Sequence, residues 1–198
     1  MVIKEEILRS VGAVTRHYNP ADIIFKEGDI PHYYYQIVDG EAKLNNYTDD
    51  GKEIIQTLLE PGQSIGESLL FLDKAYPVNA IAITKCTVLR VPKTIFLDLM
   101  KLYPEISLNM NKTLSQRLYF KLIMAQNLSS QNPTAKLKVL MDYLKSFQKE
   151  QSPYSFMIPL TRQQMASLTG LCVETAIRTI KVMEKEKIVK IKDRKILY

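Results

Sequence analysis

Residues 160–187 read LTRQQMASLTGLCVETAIRTIKVMEKEK, and the rest of the chain can be read outward from them. Thr161 is a predicted N-cap, because its hydroxyl can accept a hydrogen bond from the backbone N–H of Gln163 or Gln164. A short helix is predicted over Arg162–Leu168, with Met165 and Leu168 as its apolar residues. Thr169-Gly170-Leu171 then supplies a tight turn, since Gly170 can take the left-handed conformation without a side-chain clash. A second helix starts near Val173, with Ala176, Ile177, Ile180 and Met183 as its predicted inner face. Cys172, in the turn between the helices, is expected to pack as a small core residue.

Helix, glycine turn and helix within roughly 22 residues is the layout that places the second helix in a major groove of duplex DNA. The outward face of that helix presents Val173 at its start, then Glu174, Thr175, Arg178 and Lys181. Arginine can bond a guanine edge with two donors, glutamate can accept from cytosine, and lysine suits a phosphate. Arg162 and Gln163, at the start of the first helix, are expected near backbone phosphates. Farther on, Ile188-Val189-Lys190-Ile191 and Lys195-Ile196-Leu197 flank Lys192-Asp193-Arg194. That pattern predicts a β-hairpin, a wing whose basic tip, Lys192 and Arg194, again suits phosphates. An ordinary helical hairpin with a solvated charged face is the competing reading. The glycine spacing, the wing and the local charge weigh against it.

The charge is uneven along the 198 residues, whose net is +6. Residues 1–92 carry nine Lys and Arg against 13 Asp and Glu, a net of −4. Residues 93–133 carry +3, and residues 134–198 carry +7. An acidic first half joined to a basic last third points to an anionic partner at the C-terminus. With 46% hydrophobic and 24% charged residues, the chain has the material for real cores, which excludes a disordered chain. No run approaches the ~18 apolar residues of a membrane span. Glu5 and Glu6 fall where a signal peptide needs an apolar stretch, so a cytoplasmic protein is expected. Cys86 and Cys172 stand alone, and His17 and His32 are the only histidines, which leaves little for a disulfide framework or a protein-built metal site. No nucleophile–base pair and no Gly-rich phosphate loop suggest an enzyme.

From residue 13 to about 91 the texture is β-like: runs Ile23–Phe25, Tyr33–Val38, Ala42–Tyr47, Ile54–Leu59 and Ala80–Val91 are punctuated by Gly-containing turns. That rhythm predicts an antiparallel sandwich or barrel, with Asp49-Asp50-Gly51-Lys52 as a hairpin turn. A short amphipathic helix over residues 2–10 precedes it. Past Pro92, Ile95, Leu99 and Leu102 recur at helical spacing, and Pro104 opens a longer helix that runs to about Leu128. Met110, Leu114, Leu118, Leu122 and Ala125 form its predicted dimerisation stripe. Ser129–Thr134 reads as a hinge, residues 135–149 as another helix, and Tyr154–Ile158 as a short apolar run.

Taken together these segments resemble the Crp/Fnr family of bacterial transcription regulators over nearly the whole chain. In the first half the resemblance rests on Phe25-Lys26-Glu27-Gly28-Asp29, Tyr35-Gln36-Ile37-Val38-Asp39-Gly40, Pro61-Gly62 and Ile65-Gly66-Glu67. In the last third it rests on Leu160-Thr161-Arg162-Gln163-Gln164, Thr169-Gly170 and Val173-Glu174-Thr175 with Arg178. Valine before Glu-Thr is similar to the fumarate-nitrate regulator branch rather than the cyclic-AMP receptor branch, which has Arg there. The resemblance implies an α+β chain in three parts. An N-terminal, jelly-roll-like antiparallel β-roll of the cyclic-nucleotide-binding type occupies residues 1–92, connecting and dimerisation helices 93–131, and a winged helix-turn-helix 132–198. It implies a homodimer that reads a near-palindromic operator in double-stranded DNA, with RNA polymerase as a further partner. Glu174 and Arg178 would then read bases, while Thr161, Arg162 and Gln163 hold the DNA backbone.

The resemblance also sets an expectation about the effector. Members that bind cyclic AMP open a phosphate cassette with Gly-Glu and close it ten residues later with Arg-Ser or Arg-Thr. Here Gly66 and Glu67 are followed at that distance by Pro77 and Val78. Burying a phosphate without its cation is costly, so cyclic AMP is not the expected effector; a regulator that takes a cyclic nucleotide in a non-standard pocket is the alternative reading. Lys121 and Leu122 stand where the family's adenine-contacting Thr-Ser pair falls. Glu67 is then read as a structural residue bonded to nearby backbone. The family's N-terminal iron–sulfur cysteines are absent, and no metal or cofactor is expected.

Overall fold

A computed structural model of the chain describes residues 2–72, 74–126 and 131–198. The chain divides into two compact units, Met1–Gln116 and Arg117–Tyr198.

The first unit starts with α1 (Glu5–Ser10) and continues as β1 (Val14–Tyr18), β2 (Ile23–Phe25), β3 (Tyr33–Asp39), β4 (Ala42–Tyr47) and β5 (Glu53–Leu59). Then come β6 (Ser64–Ile65), a 3₁₀ turn (Glu67–Phe71), β7 (Asn79–Ala82), β8 (Cys86–Pro92) and α2 (Lys93–Leu102). Helix α3 (Pro104–Gln126) follows, and the division between the units falls within it. The strands form two antiparallel four-stranded sheets, β1-β8-β3-β6 and β2-β7-β4-β5. Phe25, Tyr35, Ile37, Leu59, Ile65, Tyr76 and Val88 fill the roll.

Strand β3 shows how the roll meets its helices. Its odd positions, Tyr35 and Ile37, belong to the roll interior, while Tyr34 joins Leu8, Leu89, Val91, Phe96 and Leu99 in a second core. Burial on both faces is why β3 and β8 read as near-continuous apolar runs rather than alternating ones. Gln36 is the polar exception. Its amide donates to the Ile3 carbonyl at 2.7 Å and accepts from the Ile3 N–H at 3.0 Å and the Tyr34 hydroxyl at 2.8 Å. A buried amide so satisfied fastens the N-terminal segment to the sheet.

Three sequence expectations need correction here. The run Ala80–Val91 is two strands, because Ile83 and Thr84 both donate to the Glu41 carbonyl and turn the chain between them. Strands β1 and β6 are not marked by apolar runs in the sequence. The first mixes polar residues at a sheet edge and the second is two residues long. Met110, placed in the dimer stripe, is fully buried in its own unit's second core alongside Ile106, so it is not part of any outward seam. Leu114 is half-buried against that core, whereas Leu118, Leu122 and Ala125 are exposed.

The second unit comprises α4 (Pro133–Lys145), α5 (Arg162–Thr169), α6 (Val173–Lys185), β9 (Lys190–Lys192) and β10 (Lys195–Leu197). Leu137, Leu140, Met141, Met165, Ile180, Met183, Val189 and Ile196 form its core. Phe120 and Met124, from the end of α3, pack against it. Helix α4 begins earlier than its apolar periodicity indicates. Asn132 caps it, accepting from Thr134 N–H at 3.0 Å, and Pro133 takes the first helical position. The expected hinge therefore keeps only Gln131 outside a capped helix; Ser129 and Ser130, like Leu128, lie outside the described residues. The run Tyr154–Ile158 lies beside β10, with Phe156 and Tyr198 exchanging backbone hydrogen bonds and Ile158 donating to Ile196.

Candidate nucleic-acid interface

The reading surface is assembled by α5, α6 and the wing. Helix α5 starts with a reciprocal cap. Thr161 Oγ1 accepts from the Gln164 N–H at 3.1 Å, and Gln164 Oε1 accepts from the Thr161 N–H at 2.8 Å. Gly170 ends the helix at φ +69°, a conformation that a side chain would strain. The chain then enters α6 through Cys172.

Along α6 the buried residues are Ala176, Thr179, Ile180 and Met183. Glu174, Arg178 and Lys181 are exposed on the opposite face, with Val173 and Thr175 half-buried beside them. Glu174 and Lys181 are seven residues apart, about 10 Å along the axis and close to three base-pair steps. The predicted inner face needs one exchange. Ile177 is 36% exposed and Thr179 takes its place in the core. Thr179 is legible afterwards from the i, i+3, i+4, i+7 set with Ala176, Ile180 and Met183, but its hydroxyl hides it from an apolar count.

Cys172 is exposed, against the expectation of a core residue. As N-cap of α6 it stands outside the helix barrel, with Sγ 2.9 Å from the Thr175 hydroxyl. That hydroxyl, followed by the Thr175 backbone N–H, holds the thiol below the usual cysteine range.

The wing is β9 paired with β10 in the register Lys192↔Lys195 and Ile191↔Ile196. Asp193 and Arg194 form its two-residue turn, both at positive φ, 50° and 62°. That is the combination a tight hairpin needs, and Asn-Gly is its easiest solution. Lys192 and Arg194 are exposed at the tip. Arg162, expected at the DNA backbone, donates from Nη1 to the Arg194 carbonyl at 3.1 Å, so one arm of its guanidinium ties α5 to the wing. Gln163 and Thr161 are exposed at the start of α5.

The pocket residues of the β-roll divide differently. Glu67 is 1% exposed at the head of the 3₁₀ turn. Gly66 adopts φ +66°, and a Cβ there would lie 2.7 Å from the Phe25 ring and 2.8 Å from the Tyr76 ring. Those rings stack at 3.7 Å and occupy the roll interior against Gly66. Burial pushes the Tyr76 phenol well above the usual tyrosine range. Pro77 is exposed and its carbonyl accepts from Asn46 Nδ2 at 2.7 Å; Val78 is half-buried against the core. Lys121 and Leu122 are exposed on α3. The interior face also carries a cation that the family motifs do not mark: Arg90 of β8, cross-strand from Tyr35 and 4.3 Å over the Tyr33 ring. Its one signal in the sequence is a cation within the mostly apolar strand Cys86–Pro92.

Comparison with known proteins agrees with both halves. Residues 15–103 match the cyclic nucleotide-binding domain, and residues 138–198 match the Crp-like helix-turn-helix domain. The chain is 27% identical over 177 residues to the cAMP-activated global transcriptional regulator CRP of Haemophilus influenzae, covering 87% of this chain and 79% of that one. It is 26% identical over 176 residues to the transcriptional activatory protein AadR of Rhodopseudomonas palustris, covering 87% and 72%. Among solved structures, the c-di-GMP responsive global regulator CLP of Xanthomonas campestris shares the fold with a TM-score of 0.76 at 22% identity, covering 98% and 96%. With its domains in this order, the chain belongs to the Crp/Fnr family of DNA-binding transcription regulators. Among the described residues no helix is long and apolar enough to cross a membrane, and no three or more His, Cys, Asp or Glu side chains are grouped so as to hold a metal ion.

Proposed function

We propose that the chain is a homodimeric regulator that reads a near-palindromic operator, contacts RNA polymerase, and needs no cyclic AMP to do so. The observation that carries the DNA reading is the exposed Glu174, Arg178, Lys181 face of α6 beside a basic wing tip. Dimerisation is supported by α3. Leu108, Asn111, Ser115, Leu118, Leu122 and Ala125 are all exposed and recur at spacings of three and four. That is the 3.5-residue repeat of a left-handed two-helix seam, and a polar residue such as Asn111 within it favours one register. Two copies joined there would present two α6 helices to successive major grooves ~34 Å apart.

Independence from cyclic AMP is supported by Pro77 and Val78 at the cassette's end and by the Phe25–Tyr76 stack inside the roll. A second reading has one observation in its favour: Arg90 on the interior face could serve a nucleotide phosphate from a different strand. Selection of duplexes from a random pool, followed by fluorescence-anisotropy titration with and without cyclic AMP, tests both. A two-half-site sequence bound without nucleotide supports the proposal. Binding only with cyclic AMP, accompanied by calorimetric heat at micromolar ligand, favours the Arg90 pocket.

A further inference from the structure

Ile177 interrupts the charged stripe of α6; the other exposed apolar residue of the helix, Val182, lies on the far flank of that stripe, four residues after Arg178. The neighbours of Ile177 on the exposed side, Glu174, Arg178 and Lys181, are all charged, and the inner face is complete without it. It lies three residues after Glu174 and four before Lys181, so it shares their side of the helix. Val173, four residues earlier and half-buried, lies in line with it. The two β-branched side chains make an apolar ridge along one flank of the charged stripe. A branched aliphatic group held on a DNA-reading surface has one specific partner among base edges, the 5-methyl of thymine in the major groove.

We propose, resting on the DNA-reading function above, that Ile177 is a specificity-determining residue that packs on a thymine methyl. The base pair concerned is next to the one read by Arg178, because the two residues are adjacent in the chain and rise only ~1.5 Å along the axis. The operator half-site therefore holds an A·T pair beside the Arg178 contact. Polar recognition by Glu174 and Arg178 brackets it with pairs chosen by hydrogen bonding, so the half-site is read by two different kinds of contact.

The test uses the full-length protein and the duplex it selects from a random pool. Each thymine of the half-site is replaced in turn by deoxyuridine, which removes only the methyl. At one position, or two adjoining ones, the wild-type protein is expected to bind about fourfold more weakly per half-site, the effect of one buried methyl. Ile177→Ala is expected to lose that sensitivity, while Arg178→Ala keeps it. Ile177 is 36% exposed, so its truncation is expected to lower melting by a modest amount, and binding is compared at a temperature where both proteins are fully folded. The proposal is overturned if no deoxyuridine weakens binding, if the half-site contains no thymine beside the Arg178 pair, or if Ile177→Ala remains as sensitive as wild type. A pool that yields no preferred sequence at all instead removes the DNA-reading function on which the proposal stands.

Discussion

Replacing Leu118 with Glu separates the assembly of this protein from its folding. Leu118 is 61% exposed and Leu122 54% exposed on α3, so neither is needed by the core of its own chain. Fully burying a leucine stabilises by roughly 1.5–3 kcal/mol, and covering the exposed share of Leu118 in a seam contributes about 1–2 kcal/mol per chain. A twofold axis places the residue in both partners, which doubles this to about 2–4 kcal/mol per dimer. At ~1.4 kcal/mol per tenfold, Leu118→Glu weakens the dimer by roughly 30- to 700-fold, before repulsion between the two new carboxylates is counted. Sedimentation equilibrium at micromolar protein reads the change directly. The control is Met110→Ala on the same helix. Met110 is fully buried, and truncating such a residue costs about 2–5 kcal/mol of fold stability. That variant is expected to melt lower, whereas Leu118→Glu melts with the wild type at concentrations where both are monomeric. An unchanged dimer dissociation constant in Leu118→Glu would refute the seam.

The other expectations concern the reading surface and the roll. Arg178→Ala is expected to weaken specific binding by about 1–3 kcal/mol and relax base choice at one position, read by titration against operator variants; an unchanged footprint removes the assignment. Arg194→Gly relieves a side chain held at φ 62° and is expected to stabilise the second unit by about 0.5–1 kcal/mol in denaturant melts. The same variant loses a wing charge, so its affinity should fall with a salt slope shallower by about one. Cys172 should react with a thiol reagent well before Cys86, whose thiol burial pushes up. Because the Thr175 hydroxyl lowers the Cys172 pKa, Thr175→Ala raises it, and the rate–pH profile of Cys172 then moves to higher pH; equal rates for the two thiols would contradict the assignment. Gly66→Ala is expected to cost about 2–5 kcal/mol in the absence of any nucleotide, through left-handed strain and crowding of the Phe25 and Tyr76 rings. Wild-type stability in that variant would show that the rings yield easily.

Much of this architecture is legible in the residues because local and global signals coincide. Thr161, Gln164 and Gly170 fix both ends of α5 through backbone chemistry that depends only on neighbours in sequence. The failures share one cause: they depend on what lies across space. Met110 continues the apolar stripe of α3, and nothing in the spacing says which part of that stripe its own chain covers. Ile177 looks like core on an apolar scale, yet Thr179 is preferred there because the helix is rotated by its contacts with α4 and α5. Cys172 is small and sits in a turn, which suggests packing, but an N-cap stands clear of the helix it opens. Strand β1 is held by its ladder to β8 rather than by its own composition.

The Gly66-Glu67 pair illustrates why a motif and its ligand have to be argued separately. Both residues have work to do in the roll without any nucleotide. Gly66 provides a left-handed turn against two aromatic rings, and Glu67 opens the 3₁₀ turn that follows while fully enclosed. The proposed reading is that a phosphate held beside Gly66 meets the Phe25–Tyr76 stack and, where the family resemblance implies a cation, finds Pro77 and Val78. Displacing the Tyr76 ring forfeits aromatic packing on the order of 1 kcal/mol beyond its buried area. A ligand with its own apolar surface and a hydrogen-bond acceptor for the Tyr76 hydroxyl could recover that loss, whereas a bare phosphate could not. On the proposed reading the roll disfavours a phosphate-led ligand twice, once by the missing cation and once by the ring that fills its interior. Arg90, on another strand, offers a way around the first barrier and leaves the second in place.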